Sequence, residues 1–270
     1  MKKLMITGAA ALCAAVSFGA IESQNIVGYD SVALRTGMKA AGAAFVPVSG
    51  ATIDLQDLKV SGYNAEDGYA DGEIYLQTLT PGGATIKSFT WIDLAADPDD
   101  PDSVSFYGWY DDDTGELGEL TIAPGDGLAA FGPNATFGIQ SAGQVPTSDV
   151  AVTLRTGMKF IANPTPATVS LNLGDKSDWA GMYVAGYSAT DGYADGEIYL
   201  QTLTPGGATI KSFTWIDLAA DPDDPDSVAF YGWYDDDTGE LGELTIAPGD
   251  GLAAFGPSTS FSIVFPGITL

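Results

Sequence analysis

Histidine is absent from the 270 residues, cysteine occurs once, and 10 Lys plus Arg stand against 36 Asp plus Glu. Each shortage removes a class of chemistry. Without His the chain lacks the usual proton shuttle near neutral pH and the commonest transition-metal ligand. Its one cysteine, Cys13, lies in an N-terminal apolar stretch, so the remainder can form no disulfide, thiolate metal site or Cys nucleophile. The scarcity of cations leaves a formal net charge of −26. Such a field repels phosphate backbones and anionic lipid, which argues against nucleic acid and membrane surfaces as partners. G-x-S-x-G, S-x-x-K and Walker-type loops are missing, and no stretch beyond the N-terminus keeps a 3.6-residue apolar period.

What is present is enough apolar residue for a core: 45% of the chain, with 11% aromatic. Lys2 and Lys3 precede an Ala-rich apolar run from Leu4 to Phe18, followed by Gly19 and Ala20. This is the pattern of a secretory signal peptide over residues 1–20, shorter than the roughly 20 apolar residues of a membrane span. Leu12, directly before Cys13, is not the small residue a lipoprotein cleavage box wants. With no second long apolar run, the expected product is exported and not inserted in a membrane, located in the periplasm, at the cell surface or outside the cell.

The remainder is a duplication. Asp67–Pro133 recurs as Asp191–Pro257, offset by 124 residues, with one difference in 67 positions: Ser105 is replaced by Ala229. Upstream, Leu34-Arg35-Thr36-Gly37-Met38-Lys39 recurs as residues 154–159, offset by 120, so a four-residue length difference lies between the two anchors. Two domains are expected, residues 21–145 and 146–270. Each copied block holds 11 Asp, 3 Glu and one Lys, a net of −13, so the two blocks carry the whole imbalance.

Within a block, Glu73–Thr80 reads as a strand, Pro81-Gly82-Gly83 as a turn and Thr85–Leu94 as the return strand, with Phe89 and Trp91 on one face. The Asp/Pro run 97–102 reads as loop, Val104–Tyr110 as strand, Asp111–Gly115 as hairpin turn and Pro124–Gly127 as a turn before Leu128–Phe131. Short strands between Gly, Pro and Asp turns predict an all-β fold: two tandem β-sandwiches or small β-barrels. A transmembrane β-barrel is the alternative, disfavoured by uneven strands interrupted by Pro/Asp clusters.

Asn25–Tyr29, Gly157–Pro164, Ile122–Leu128 and Ala142–Val145 together resemble exported, β-rich repeat proteins of unknown function from bacteria of the planctomycete and verrucomicrobial group. The first copy departs from that pattern at Ala41–Val46. The resemblance implies a structural role at the cell surface or outside the cell and carries no site residues.

Three constellations can be read for chemistry. Asp97, Asp99, Asp100 and Asp102, with Asp221, Asp223, Asp224 and Asp226, supply the carboxylates Ca²⁺ prefers, with Asp111–Asp113 or Asp67, Asp71 and Glu73 as neighbours. The spacing is not an EF-hand, and the competing reading is a solvated acidic loop. Asp113-Thr114-Gly115 and Asp237-Thr238-Gly239 place one D-T-G on each copy, as in aspartic proteases, but acids precede each motif and Glu follows it. Trp91, Trp109, Tyr107 and Tyr110, with Trp215, Trp233, Tyr231 and Tyr234, offer a sugar-stacking platform, against the reading that aromatics on strands are core. The sequence therefore points first to a non-enzymatic exported structural protein, self-associating and Ca²⁺-stabilised. Second comes a binding module for a surface glycan with two copies for avidity, and third a carboxylate hydrolase.

Overall fold

The computed structural model describes residues 27–48, 52–62, 74–79, 85–187, 198–203, 209–224 and 226–269. The N-terminal segment read as an export signal, with Cys13, the turn at 81–83, and Asp67, Asp71 and Glu73 lie outside the described residues.

The fold is all-β. In the first half, β1 (Val27–Ala33), β10 (Gly138–Gln144) and β4 (Lys59–Ser61) form a three-stranded antiparallel sheet in that order. A five-stranded sheet runs β2 (Lys39–Ala41), β9 (Leu128–Phe131), β5 (Tyr75–Leu79), β6 (Thr85–Leu94) and β7 (Phe106–Asp111). The short pair β3 (Ile53–Asp54) and β8 (Thr121–Ile122) closes one end. The second half repeats this order. Its three-stranded sheet is β11 (Val150–Thr153), β20 (Ser262–Phe265) and β14 (Tyr183–Ala185). Its five-stranded sheet runs β12 (Gly157–Ala162), β19 (Gly251–Gly256), β15 (Tyr199–Leu203), β16 (Thr209–Leu218) and β17 (Phe230–Asp235). Its short pair is β13 (Val169–Ser170) with β18 (Thr245–Ile246). Among the described residues none of the sheets closes into a barrel.

Each half is a sandwich because alternate residues of both sheets face one core. Val32, Ile139, Leu76, Phe89, Trp91, Trp109 and Leu128 fill the first, and Val152, Ile263, Leu200, Phe213, Trp215, Trp233 and Leu252 the second. The edge strand β7 is sealed by a side-chain amide: Gln56 donates to the carbonyls of Trp109 and Gly118 and accepts from the Trp109 N–H. Asn172 does the same for β17 at Trp233 and Gly242.

These equivalences resolve the length difference. Ile53 corresponds to Val169, an offset of 116, and Leu58 to Met182, an offset of 124. Relative to the first half, the second is four residues shorter before its β13 strand and eight longer after it. The extra residues form a loop carrying Lys176 and Trp179.

The two sandwiches meet through the outer faces of their five-stranded sheets. Residues that do not face a core, namely Ala40, Ala129, Phe160 and Ala253, pack together with Met38, Phe131, Met158 and Phe255 around them. Alanines let the sheets approach. Phe160 fills the seam from one side, and its counterpart Ala40 leaves the room for it. Two ion pairs related by the repeat close the rim: Lys39 to Asp250 at 2.6 Å and Lys159 to Asp126 at 2.7 Å. Backbone bonds cross beside them, Gly42 N–H to the Gly249 carbonyl and Ala162 N–H to that of Gly125.

The Pro-Gly-Asp-Gly turns must come very close to the opposite half. At Gly125, φ is +82° and a Cβ would meet Val152 Cγ2 at 2.3 Å, whereas at Gly115, with φ of +69°, a Cβ would meet nothing within 4 Å. Gly115→Ala is therefore expected to cost about 1 kcal/mol, the left-handed penalty alone. Gly125→Ala adds an overpacking cost of roughly 1–3 kcal/mol. Thermal melts of the two variants measure the difference, and equal shifts would contradict this packing.

Candidate functional sites

Asp residues dominate the copied blocks, and the structure gives many of them a backbone task. In the 97–102 loop the Asp97 carboxylate accepts from the Asp99 N–H at 2.9 Å and the Asp100 carboxylate from the Asp102 N–H at 3.0 Å. The Asp97 N–H donates to Ser103 Oγ at 2.8 Å, and the Asp100 and Ser103 N–H groups reach the carbonyls of Asp97 and Asp100. These are consecutive Asx turns, in which a short carboxylate satisfies the N–H two residues on. Residues 221–227 repeat them: Asp221 accepts from Asp223 at 2.9 Å and Asp224 from Asp226 at 3.0 Å. Among the described residues no three acids converge as a metal-binding group. The carboxylates of Asp99, Asp102, Asp223 and Asp226 are exposed to solvent.

The hairpin after β7 divides its three acids by position. Asp111 is buried; its carboxylate accepts from the Asp113 N–H at 3.0 Å and lies 3.4 Å from Lys87 Nζ. That N–H bond, helped by Lys87, holds the Asp111 carboxyl below its ordinary pKa against the opposing effect of burial. Asp112 accepts from Thr90 Oγ1 at 2.7 Å. Asp113, the D-T-G residue, sits at the exposed tip, where the Gly115 N–H returns to the Asp111 carbonyl. The second copy matches: Asp235 with Asp237 N–H and Lys211, Asp236 with Thr214, and Asp237 at its own exposed tip. Each D-T-G is thus a hairpin tip on a separate sandwich.

The aromatic platform requires a correction. Trp109 and Trp233 are 0% exposed, and each indole N–H is satisfied in the core, by the Leu58 and Met182 carbonyls at 2.7 and 3.0 Å. A sugar cannot stack on a ring with no accessible face, so these two indoles are core, as strand aromatics usually are. Tyr110 and Tyr234 are half-buried and pack edge-on against Phe106 and Phe230.

The most elaborate arrangement of polar groups is one that sequence reasoning did not identify as a site: the seam. The repeated Leu-Arg-Thr-Gly-Met-Lys segment is used almost residue by residue. Leu34 and Leu154 are core. The Arg35 and Arg155 guanidiniums donate to the carbonyls of Met38 and Met158, and Arg35 also reaches the Leu203 carbonyl of the opposite half at 2.9 Å. Thr36 and Thr156 donate to the carbonyls of Pro133 and Pro257. Lys39 and Lys159 bond to the Ala33 and Thr153 carbonyls as well as to their ion-pair partners. Burial pulls the Arg155 guanidinium below its ordinary pKa, and Asp126 opposes the shift. Two small equivalent cavities of about 140 and 160 Å³ flank the seam, one beside Arg155 and Lys159, the other beside Arg35 and Lys39. The clue was the recurrence of Lys and Pro-Gly-Asp-Gly in both copies, and it carries no record of which copy pairs with which.

Compared with known proteins, the chain matches no family model, no curated protein and no solved structure.

Two outcomes follow for the acids. Asp97→Asn and Asp100→Asn retain the turn acceptor and are expected to leave stability within about 0.5 kcal/mol, while the Ala variants lose about 1 kcal/mol each. Chemical denaturation distinguishes this from a purely electrostatic role, in which Asn and Ala would behave alike. The lowered Asp111 carboxyl stabilises the fold fully above the unfolded-chain value near 3.9 and loses that contribution as pH falls through its folded value. Melting temperature should therefore fall on acidification below about pH 4, and less steeply in Asp111→Asn.

Proposed function

We propose that the chain is an exported, non-catalytic structural protein of the cell surface or extracellular matrix that associates with copies of itself. The observation that carries this is how the sheets are disposed. The five-stranded sheets turn their outer faces on each other at the seam, and among the described residues each three-stranded sheet ends in a strand paired on one side only. The first of these, β1, is seven residues long, with exposed Tyr29, Ser31 and Ala33; the second, β11, is four. An unpaired strand edge is a template for another strand, and a head-to-tail contact between unlike edges propagates as an open chain.

The acidic loops fit the same reading. Asp99 and Asp102, with Asp223 and Asp226 in the second copy, present carboxylates to solvent beside turns already fixed by Asp97 and Asp100. Ca²⁺ is the proposed counter-ion there, because it takes carboxylate and carbonyl oxygens in irregular geometries and offsets repulsion between neighbouring chains of like charge.

Electron microscopy and sedimentation of the secreted chain, with and without Ca²⁺, test the proposal. Concentration-dependent assemblies are expected, dispersed by Tyr29→Lys combined with Ser31→Lys while the melting temperature is kept. A monomer at every concentration and Ca²⁺ level would overturn it. If Ca²⁺ binds the folded chain, a hundredfold excess over Kd raises stability by about 2.7 kcal/mol; no shift would leave the acids as solvated surface.

A further inference from the structure

The eight extra residues of the second sandwich cover a patch that the first sandwich leaves open. In the second, Trp179 packs edge-on against Tyr231 with ring centroids 5.0 Å apart and against Trp215 at 6.3 Å, and its indole N–H donates to the Met182 carbonyl at 3.1 Å. Lys176, three residues earlier, stands 4.5 Å over the Tyr231 ring and pairs with Asp217. Gly232 provides the floor: a Cβ there would approach Trp179 Cη2 to 3.0 Å. Tyr231 is left only partly exposed, and burial raises its phenol pKa.

The receiving residues recur in the first sandwich because they lie in the copied block. Tyr107 opposes Asp93 across β6 and β7, as Tyr231 opposes Asp217 across β16 and β17. Trp91 packs edge-on against Tyr107 at 5.2 Å, as Trp215 does against Tyr231 at 5.1 Å. Gly108 has φ of +130°, matching Gly232 at +129°. The connection from β3 to β4 is too short here to carry a tryptophan, and Lys59 supplies only a cation, 5.2 Å over the Tyr107 ring. Tyr107 is accordingly 54% exposed, and Asp93 is in no ion pair among the described residues.

We propose that the Tyr107–Gly108–Asp93 patch of the first sandwich is a docking site for a protein segment of another molecule that presents a tryptophan three residues after a lysine. The second sandwich holds its own version of that segment. The chemistry of the occupant follows from that internal example: an indole laid over the glycine floor and edge-on to the tyrosine, and an ammonium for the aspartate.

A fluorescently labelled peptide with the sequence of residues 172–182, Asn-Leu-Gly-Asp-Lys-Ser-Asp-Trp-Ala-Gly-Met, is the probe, titrated against the full chain and followed by anisotropy. Saturable binding at one peptide per chain is expected. Tyr107→Ala and Asp93→Lys, both at accessible positions, should each weaken it about tenfold, as should Trp→Ala in the peptide. Lys176→Ala combined with Trp179→Ala removes both groups that cover the second patch and should raise the stoichiometry to two, with circular dichroism confirming the fold. Absence of saturation, binding indifferent to Tyr107→Ala, or a stoichiometry unchanged by that double variant would each overturn the proposal.

Discussion

The seam between the two five-stranded sheets is the constraint on which the rest of the molecule depends. A sheet face that is not packed on its own core must be covered or made polar, and here the small side chains Ala40, Ala129 and Ala253 allow the two sheets to cover each other. Every motif at the rim then serves twice. Asp126 and Asp250 sit in the turns that lead into β9 and β19, and each also binds a lysine of the other half. Each pair is worth about 1 kcal/mol, the upper end of the surface range, because both lysines are largely buried and also bonded to backbone carbonyls. At the centre of the seam the two copies differ. There Phe160 stands where the first copy has Ala40, since a large side chain from both sides would overpack the same space.

The acidity has a related logic. A charge of −26 favours solubility and opposes compaction, yet the acids concentrate where the backbone needs acceptors. Asp54, Asp97, Asp100, Asp111, Asp221, Asp224 and Asp235 each accept an N–H two residues on. Glutamate is one methylene too long for that turn, which accounts for the preference for Asp over Glu in the copied blocks. Lys87 and Lys211, the lone basic residue of each copied block, are placed beside the buried Asp111 and Asp235.

Much of the sandwich was legible because strand periodicity is local. Thr85–Leu94 has the bounds its sequence predicts, and Phe89 and Trp91 share one face as their spacing requires; that this face is the buried one comes from the structure. Leu117–Ile122 was less legible. It leaves the hairpin after a single bridge and crosses to the small sheet, with Gly118 closely apposed to the Phe89 ring, a long-range contact with no local signature. The seam was invisible for the same reason, since Pro-Gly-Asp-Gly announces a turn and is silent about what the turn touches. The four-residue offset hid two opposite length changes, and with them the Trp179 loop. Trp109 was ambiguous because an aromatic residue on a strand suits a core and a binding platform equally, and only its satisfied N–H and its burial decide.

If the reciprocal clasps join the two sandwiches into one body, the copies unfold together. Differential scanning calorimetry of the chain is then expected to show one transition with equal calorimetric and van 't Hoff enthalpies, and Lys39→Ala combined with Lys159→Ala to split it in two. Two independent transitions in the unaltered chain would contradict the account.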